Sequence, residues 1–236
     1  MVSIEPITIQ LDANRAVSGL LQVPPDACAV FVMAHGAGAG MTHPFMAAVA
    51  DGLADRRVAT LRYQFPYMEA GSKRPDRPPL AHAAVRAAVA AASRRLPSLP
   101  LFAGGKSFGA RMTSQAQAES PLPGIGGLIF LGFPLHPAKK PSDDRGAHLA
   151  AVRIPMLFLQ GTRDALADPA LLLPLVKRLG GIATLSAIEQ ADHSFHVPVR
   201  SGGTDTAVLA ALCDTITAWI AEVPGSAESP PRTASS

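Results

Sequence analysis

Cysteine, aromatic residues and clustered charge are all scarce in this chain of 236 residues. The two cysteines, Cys28 and Cys213, are far apart and do not suggest the disulfide framework of a small secreted domain. The net charge is only +3 and no run of Lys and Arg exceeds two residues, so the basic patch of a nucleic-acid-binding protein is missing. No apolar run approaches the ~18 residues of a membrane helix, and no signal-peptide pattern is visible. We therefore expect a cytoplasmic protein that binds neither nucleic acid nor membrane.

The residues that are present favour a single α/β domain. Hydrophobic residues make up 48% of the chain, and apolar runs alternate with segments of helical periodicity, which is typical of a mostly parallel sheet with helices on both faces. The predicted strands are residues 7–11, 17–23, 29–34, 58–63, 99–103, 125–132, 156–160 and 184–188. The predicted helices are residues 45–56, 80–95, 107–119, 169–179 and 204–222. Residues 1–223 form the predicted domain, and residues 224–236 a disordered tail.

The sequence GKSFG at residues 105–109 matches the pattern G-x-S-x-G between a predicted strand and a predicted helix. This context is typical of a tight turn that presents a nucleophilic serine, here Ser107. The turn leaves no room for side chains at Gly105 and Gly109. Because the helix begins at the serine, the backbone N–H of Phe108 is a candidate donor to a developing oxyanion.

The same segment also resembles the end of a phosphate-binding loop. That motif needs a glycine five positions before Gly105, where this chain has Pro100. A dinucleotide fingerprint is missing as well, because Met41 or His43 stands where its third glycine would be. We therefore expect no nucleotide and no other cofactor.

A serine nucleophile needs an acid and a base, which in this order of elements follow later strands. Asp164 comes just after the predicted strand at residues 156–160 and is the preferred acid. Asp168 is the competitor, but an aspartate before Pro169 is typical of a helix N-cap.

His193 follows the last predicted strand and is the preferred base, with His196 as the alternative. A zinc site built from Asp192, His193 and His196 is a further alternative. It lacks another strong ligand at a suitable spacing, so we predict no metal.

The glycine-rich loop HGAGAG at residues 35–40 follows the predicted strand at residues 29–34. Its small residues let the backbone approach a substrate closely, and Ala37 is the expected second oxyanion donor, with Gly38 as the alternative. We expect His35 to orient this loop by hydrogen bonding.

Together these segments resemble the α/β-hydrolase superfamily, over about residues 7–222. Within it, the similarity is to a dienelactone-hydrolase-like branch. The resemblance lies in the loop at 35–38, RYQFPYM at 62–68, GGKSFGAR at 104–111, GFPLHP at 132–137 and QGTRD at 160–164. It implies an α/β-hydrolase fold and the Ser–His–Asp triad. Dienelactone hydrolases usually carry a cysteine nucleophile, so their lactone substrate does not transfer to a chain with Ser107.

Many hydrolases insert a cap domain in the segment that corresponds to residues 132–156. This segment is short here, so we expect no sizeable cap and an open site. Phe65, Tyr67, Phe133 and Leu135 are candidates to line the substrate pocket, or are core residues. The sequence predicts a serine hydrolase of a small carboxylic ester or thioester. The alternative is an interaction module of the same fold, or a complex subunit, with an idle site.

Overall fold

The computed structural model describes residues 1–223, so the predicted tail at residues 224–236 lies outside it. The strands are β1 (Ser3–Asp12), β2 (Arg15–Val23), β3 (Ala29–Ala34), β4 (Val58–Tyr63), β5 (Leu101–Lys106), β6 (Ile125–Leu131), β7 (Met156–Gly161) and β8 (Ala183–Ile188). The helices are α1 (Pro44–Ala54), α2 (Pro66–Glu69), α3 (Pro78–Arg95), α4 (Phe108–Glu119), α5 (Pro169–Leu179) and α6 (Asp205–Glu222). Short 3-10 helices cover Asp144–Ala151, Gly180–Ile182 and Val199–Ser201. Within the described residues, no helix meets the length and apolarity needed to cross a membrane.

All eight strands form one sheet in the order β1-β2-β4-β3-β5-β6-β7-β8. β1 pairs with β2 and β2 with β4 in antiparallel fashion, whereas every other pair is parallel. The six residues of β3 are all buried, because its side chains enter one hydrophobic cluster on each face of the sheet. Helices α3, α4 and α5 pack on one face, and α1 and α6 on the other. This confirms the predicted α/β-hydrolase architecture.

The structure differs from the sequence prediction at several elements. β1 and β2 are longer than predicted, because they form a hairpin whose pairing runs from Ser3 opposite Val23 down to the turn. The segment 64–79, predicted as a loop, contains α2, whose first residue is a proline at a position that tolerates the missing N–H. The 3-10 helix Asp144–Ala151, also not predicted, lies where other hydrolases carry a cap, and no cap domain is present in residues 1–223.

Candidate active site

Ser107 occupies a sharp turn between β5 and α4. Its backbone has φ 51° and ψ −109°, which is strained for a residue with a side chain. A Cβ at Gly105 would lie 2.1 Å from the carbonyl oxygen of Ala34 on β3, and a Cβ at Gly109 would lie 2.5 Å from the same atom. Only glycine fits at these two positions, and the turn therefore lifts the Ser107 side chain above the carboxyl edge of the sheet.

The structure brings Ser107, His193 and Asp164 into one hydrogen-bonded line. The Nε2 atom of His193 lies 2.8 Å from the Ser107 Oγ, and its Nδ1 lies 2.7 Å from an Asp164 carboxylate oxygen. Asp164 is only 4% exposed, and its oxygens also accept hydrogen bonds from the Gln160 side-chain amide and the Leu166 backbone N–H. A carboxylate held in this way fixes the imidazole with Nδ1 protonated, so that Nε2 can accept a proton from the serine.

Asp168, the competing acid, lies elsewhere in the hydrogen-bond network. Its carboxylate accepts the backbone N–H of Ala170 at 2.9 Å, which makes it the N-cap of α5. Its own backbone N–H donates to Nε2 of the buried His136 at 2.8 Å. The cap geometry is the one expected from its position before Pro169.

His196, the competing base, points to the surface. Its Nδ1 pairs with the Asp205 carboxylate at 2.8 Å, and this hydrogen bond raises the pKa of His196. Asp192 uses a carboxylate oxygen to accept the backbone N–H groups of Ser194 and His196, so it closes the loop on itself. Among the described residues no group of three or more His, Cys, Asp or Glu side chains is arranged to hold a metal ion.

The glycine-rich loop after β3 lines the same pocket as Ser107 and is held by hydrogen bonds with the segment after β4. The His35 Nδ1 donates to the Gly36 carbonyl at 2.7 Å, while its Nε2 accepts the Phe65 N–H at 3.1 Å. His35 is fully buried, and this desolvation lowers its pKa, so it is neutral. The Gly38 N–H donates to the Tyr67 hydroxyl at 2.9 Å. In residues 1–223 the Ala37 N–H has no hydrogen-bond acceptor, so it remains available to a ligand.

The segment after β4 supports this loop, a connection that the sequence did not reveal. Besides the contacts of Phe65 and Tyr67, the Gln64 side-chain oxygen accepts the Met41 N–H at 2.8 Å. The buried Arg62 guanidinium reaches the Met41 carbonyl at 3.5 Å. The loop is therefore fixed both by this stretch at the end of the neighbouring strand and by its own hydrogen bonds, such as that from the Ala39 N–H to the Gly36 carbonyl at 3.2 Å.

A pocket of about 330 Å³ opens beside Ser107 and His193. Its apolar walls come from the glycine-rich loop, from α1 and from the loop after β7: Ala37, Ala39, Phe45, Met46 and Leu166. Its polar lining includes His43 and Lys106. The sequence prediction named neither Phe45 nor Met46, although their helix begins only a few residues after the glycine-rich loop.

The four residues predicted to line the pocket lie elsewhere. Phe65, Phe133 and Leu135 are 0% exposed and Tyr67 is 4% exposed, and none of them lines the pocket beside Ser107. They belong to the hydrophobic cluster under α3, α4 and α5, which corresponds to the alternative that they are core residues. The physical reason is that these side chains pack into the core: the Phe65 ring contacts Tyr63, and the Phe133 ring contacts Phe130 and Phe158.

Comparisons with known proteins agree with this fold. A family model described as an alpha/beta hydrolase domain matches residues 27–221. The structure is similar to a dienelactone hydrolase from Anabaena variabilis, with 20% identity, a TM-score of 0.74, and coverage of 94% of this chain and 98% of that one. It is also similar to a serine hydrolase without a lid from Xanthomonas campestris, with 19% identity, a TM-score of 0.72 and 97% coverage of both chains. A serine hydrolase homologue from Coxiella burnetii aligns with 17% identity and a TM-score of 0.72, over 92% of this chain and 97% of that one.

Proposed function

Because this chain belongs to the alpha/beta hydrolase domain family, we propose that it is a serine hydrolase that cleaves a carboxylic ester or thioester through an acyl-enzyme. The observation that carries the proposal is the unbroken hydrogen-bond line from Ser107 through His193 to the buried Asp164. A protein that used this fold only as a binding module would have no need for all three groups in line.

In the proposed reaction the Ser107 Oγ attacks the carbonyl carbon of the ester while His193 Nε2 takes the hydroxyl proton. Collapse of the tetrahedral intermediate breaks the bond to the leaving alcohol or thiol, which receives that proton from His193. A water molecule then attacks the acyl-enzyme while His193 accepts one of its protons. Collapse of the second tetrahedral intermediate breaks the bond to the Ser107 Oγ, which takes that proton back from His193, and the carboxylic acid is released. Asp164 holds the imidazole and stabilises its charged form.

The oxyanion of the intermediate is proposed to sit between the backbone N–H groups of Ala37 and Phe108. Within the described residues neither N–H has a protein acceptor. Gly38, the alternative donor, already donates to Tyr67. The geometry therefore favours Ala37, with Phe108 at the first turn of α4 as its partner.

The pocket favours a small acyl or alcohol group. Its volume of about 330 Å³ is near the lower end of the range, roughly 300–1,000 Å³, of small-molecule sites. The walls contributed by Ala37, Ala39, Met46 and Leu166 are apolar. With no cap domain over residues 1–223, a substrate enters from solvent directly.

The decisive experiment is labelling of the purified protein with a fluorophosphonate at neutral pH, followed by a panel of p-nitrophenyl esters and acyl thioesters of increasing chain length. We expect stoichiometric labelling and turnover of short-chain substrates. A protein that is neither labelled nor active on the panel is a binding module or complex subunit with an idle site instead.

Substitution of each candidate acid in turn should give opposite results. Asp164→Asn should lower kcat by about 10⁴-fold, because an amide no longer fixes the productive imidazole tautomer. Asp168→Ala should leave turnover in place and cost roughly 1 kcal/mol of stability through loss of the α5 cap. Turnover and melting temperature of both variants decide the matter, and the reverse pattern would transfer the catalytic role to Asp168.

Tyr67 is expected to act on the oxyanion loop rather than on the substrate. Tyr67→Phe removes the acceptor of the Gly38 N–H, so the loop loses a restraint and kcat should fall by about tenfold, less than the 10²–10³-fold cost of losing an oxyanion donor itself. KM should change little, because Tyr67 does not line the pocket. Tyr63→Phe makes the same chemical change at a hydroxyl that faces Thr113 instead of this loop and should leave kcat unaltered. A rise in KM at constant kcat would instead identify Tyr67 as a substrate contact.

A further inference from the structure

Lys106 lies next to the nucleophile in sequence but extends towards the loop that carries the base. Its ammonium donates a hydrogen bond to the main-chain carbonyl of His193. Within residues 1–223 this is the only hydrogen bond to the His193 main chain. A single side chain therefore links the strand that ends at Ser107 to the backbone of the residue that must meet it.

The surroundings of the ammonium are apolar. Its Nζ lies 5.2 Å from the centre of the Phe195 ring and 6.0 Å from that of Phe45, and these two rings stack on each other at 5.7 Å. Among the described residues Lys106 forms no ion pair with a carboxylate. The aromatic faces attract the cation and fix where it sits.

Burial disfavours the charged form and lowers the pKa of Lys106 to about 8. The titratable groups that face it are Asp164, Asp192 and His193; the two carboxylates partly oppose this shift. In the unfolded chain lysine keeps its proton to higher pH, so the buried charge costs stability below about pH 8, and this cost disappears as the pH rises above it. A buried cation that bonds a carbonyl instead of a carboxylate does not recover the free energy lost on removing it from water, so stabilisation of the fold does not explain the buried Lys106 ammonium.

On this geometry, we propose that Lys106 is a positioning residue whose ammonium ties the His193 loop to the nucleophile strand. The proposal rests on the serine-hydrolase function proposed above. A charge-assisted bond to the His193 carbonyl is stronger than a neutral one, so it holds the imidazole at hydrogen-bond distance from the Ser107 Oγ. Loss of the charge allows the loop to move, and small displacements of a catalytic group are costly.

The test compares the wild type with Lys106→Met, which keeps an unbranched apolar stem beside the two stacked rings and removes the charge. We expect kcat at saturating substrate to fall by about tenfold, because the base is displaced. Lys106 also lines the pocket, so KM does not separate the two roles and the pH profile does. Wild-type kcat should decline above about pH 8 as Lys106 loses its proton, and this alkaline limb should be absent in the variant. A merely structural role would alter the melting temperature without removing that limb.

Hydrogen–deuterium exchange supplies a readout that does not need activity. Amides of residues 191–196 should exchange several-fold faster in Lys106→Met, whereas Lys177→Met on the exposed face of α5 should leave both exchange and kcat as in the wild type. If wild-type protein is not labelled by fluorophosphonate, the proposed function fails, and exchange still decides whether Lys106 holds the loop. An active wild type with unchanged kcat, pH profile and exchange in Lys106→Met would overturn the inference alone.

Discussion

Ser107→Ala should abolish fluorophosphonate labelling and reduce ester hydrolysis to near the background rate, a loss on the order of 10⁶-fold if this serine behaves as other triad nucleophiles do. The variant removes only the Oγ that lies 2.8 Å from His193. Among residues 1–223 the Ser107 Oγ is the only hydroxyl hydrogen-bonded to the His193 imidazole. Active-site titration and steady-state kinetics on the same preparation measure both losses.

The control for this variant is Ser194→Ala. Ser194 also lines the pocket, but the hydrogen bond it makes uses its backbone N–H and not its hydroxyl. Labelling and turnover should therefore survive in Ser194→Ala. The melting temperature of Ser107→Ala should stay close to that of the wild type, since alanine keeps a Cβ and leaves Gly105 and Gly109 in place. Retained activity in a folded Ser107→Ala protein would falsify the assignment of the nucleophile.

The strand–turn–helix around Ser107 could be predicted from sequence because its determinants are local. Close contact with Ala34 requires glycine at positions 105 and 109. Two glycines flanking a serine directly after a predicted strand are therefore a specific signal for this turn. The parallel sheet was predictable for a similar reason, since buried strands such as β3 and β6 are apolar throughout. The resemblance of the sequence to the α/β-hydrolase superfamily is confirmed by the family match over residues 27–221.

The pocket lining was not predictable, because it depends on where the turns after strands direct their side chains. The sequence predicted that Phe65 lines the pocket. In the structure its ring is buried in the core just after β4, and its backbone N–H donates a hydrogen bond to His35. Lys106 shows the same limit. It occupies the variable position of the G-x-S-x-G pattern, and its partner, the His193 carbonyl, is 87 residues away. Contacts at such separation exist only once the sheet has brought the two strand ends together.

The choice between His193 and His196 carries the other very large expected effect. His193→Ala should remove nearly all turnover, because no other imidazole lies at hydrogen-bond distance from Ser107 among the described residues. His196→Ala should keep wild-type kcat. His196 is exposed, and its imidazole is hydrogen-bonded to Asp205, which raises its pKa, instead of to Ser107.

The pH profile separates the two histidines further. A protonated imidazole cannot accept the Ser107 proton, so wild-type kcat/KM should fall as the pH is lowered through the range in which imidazoles take up a proton. We expect the same acid limb in His196→Ala, and a residual rate without that limb in His193→Ala. The measurement is kcat/KM from mildly acidic to alkaline pH with and without a chelator. Because the proposed steps need only Ser107, His193 and Asp164, the chelator should have no effect. Inhibition by the chelator would support the zinc site instead. If His193→Ala kept wild-type rates and His196→Ala lost the acid limb, His196 would be the base.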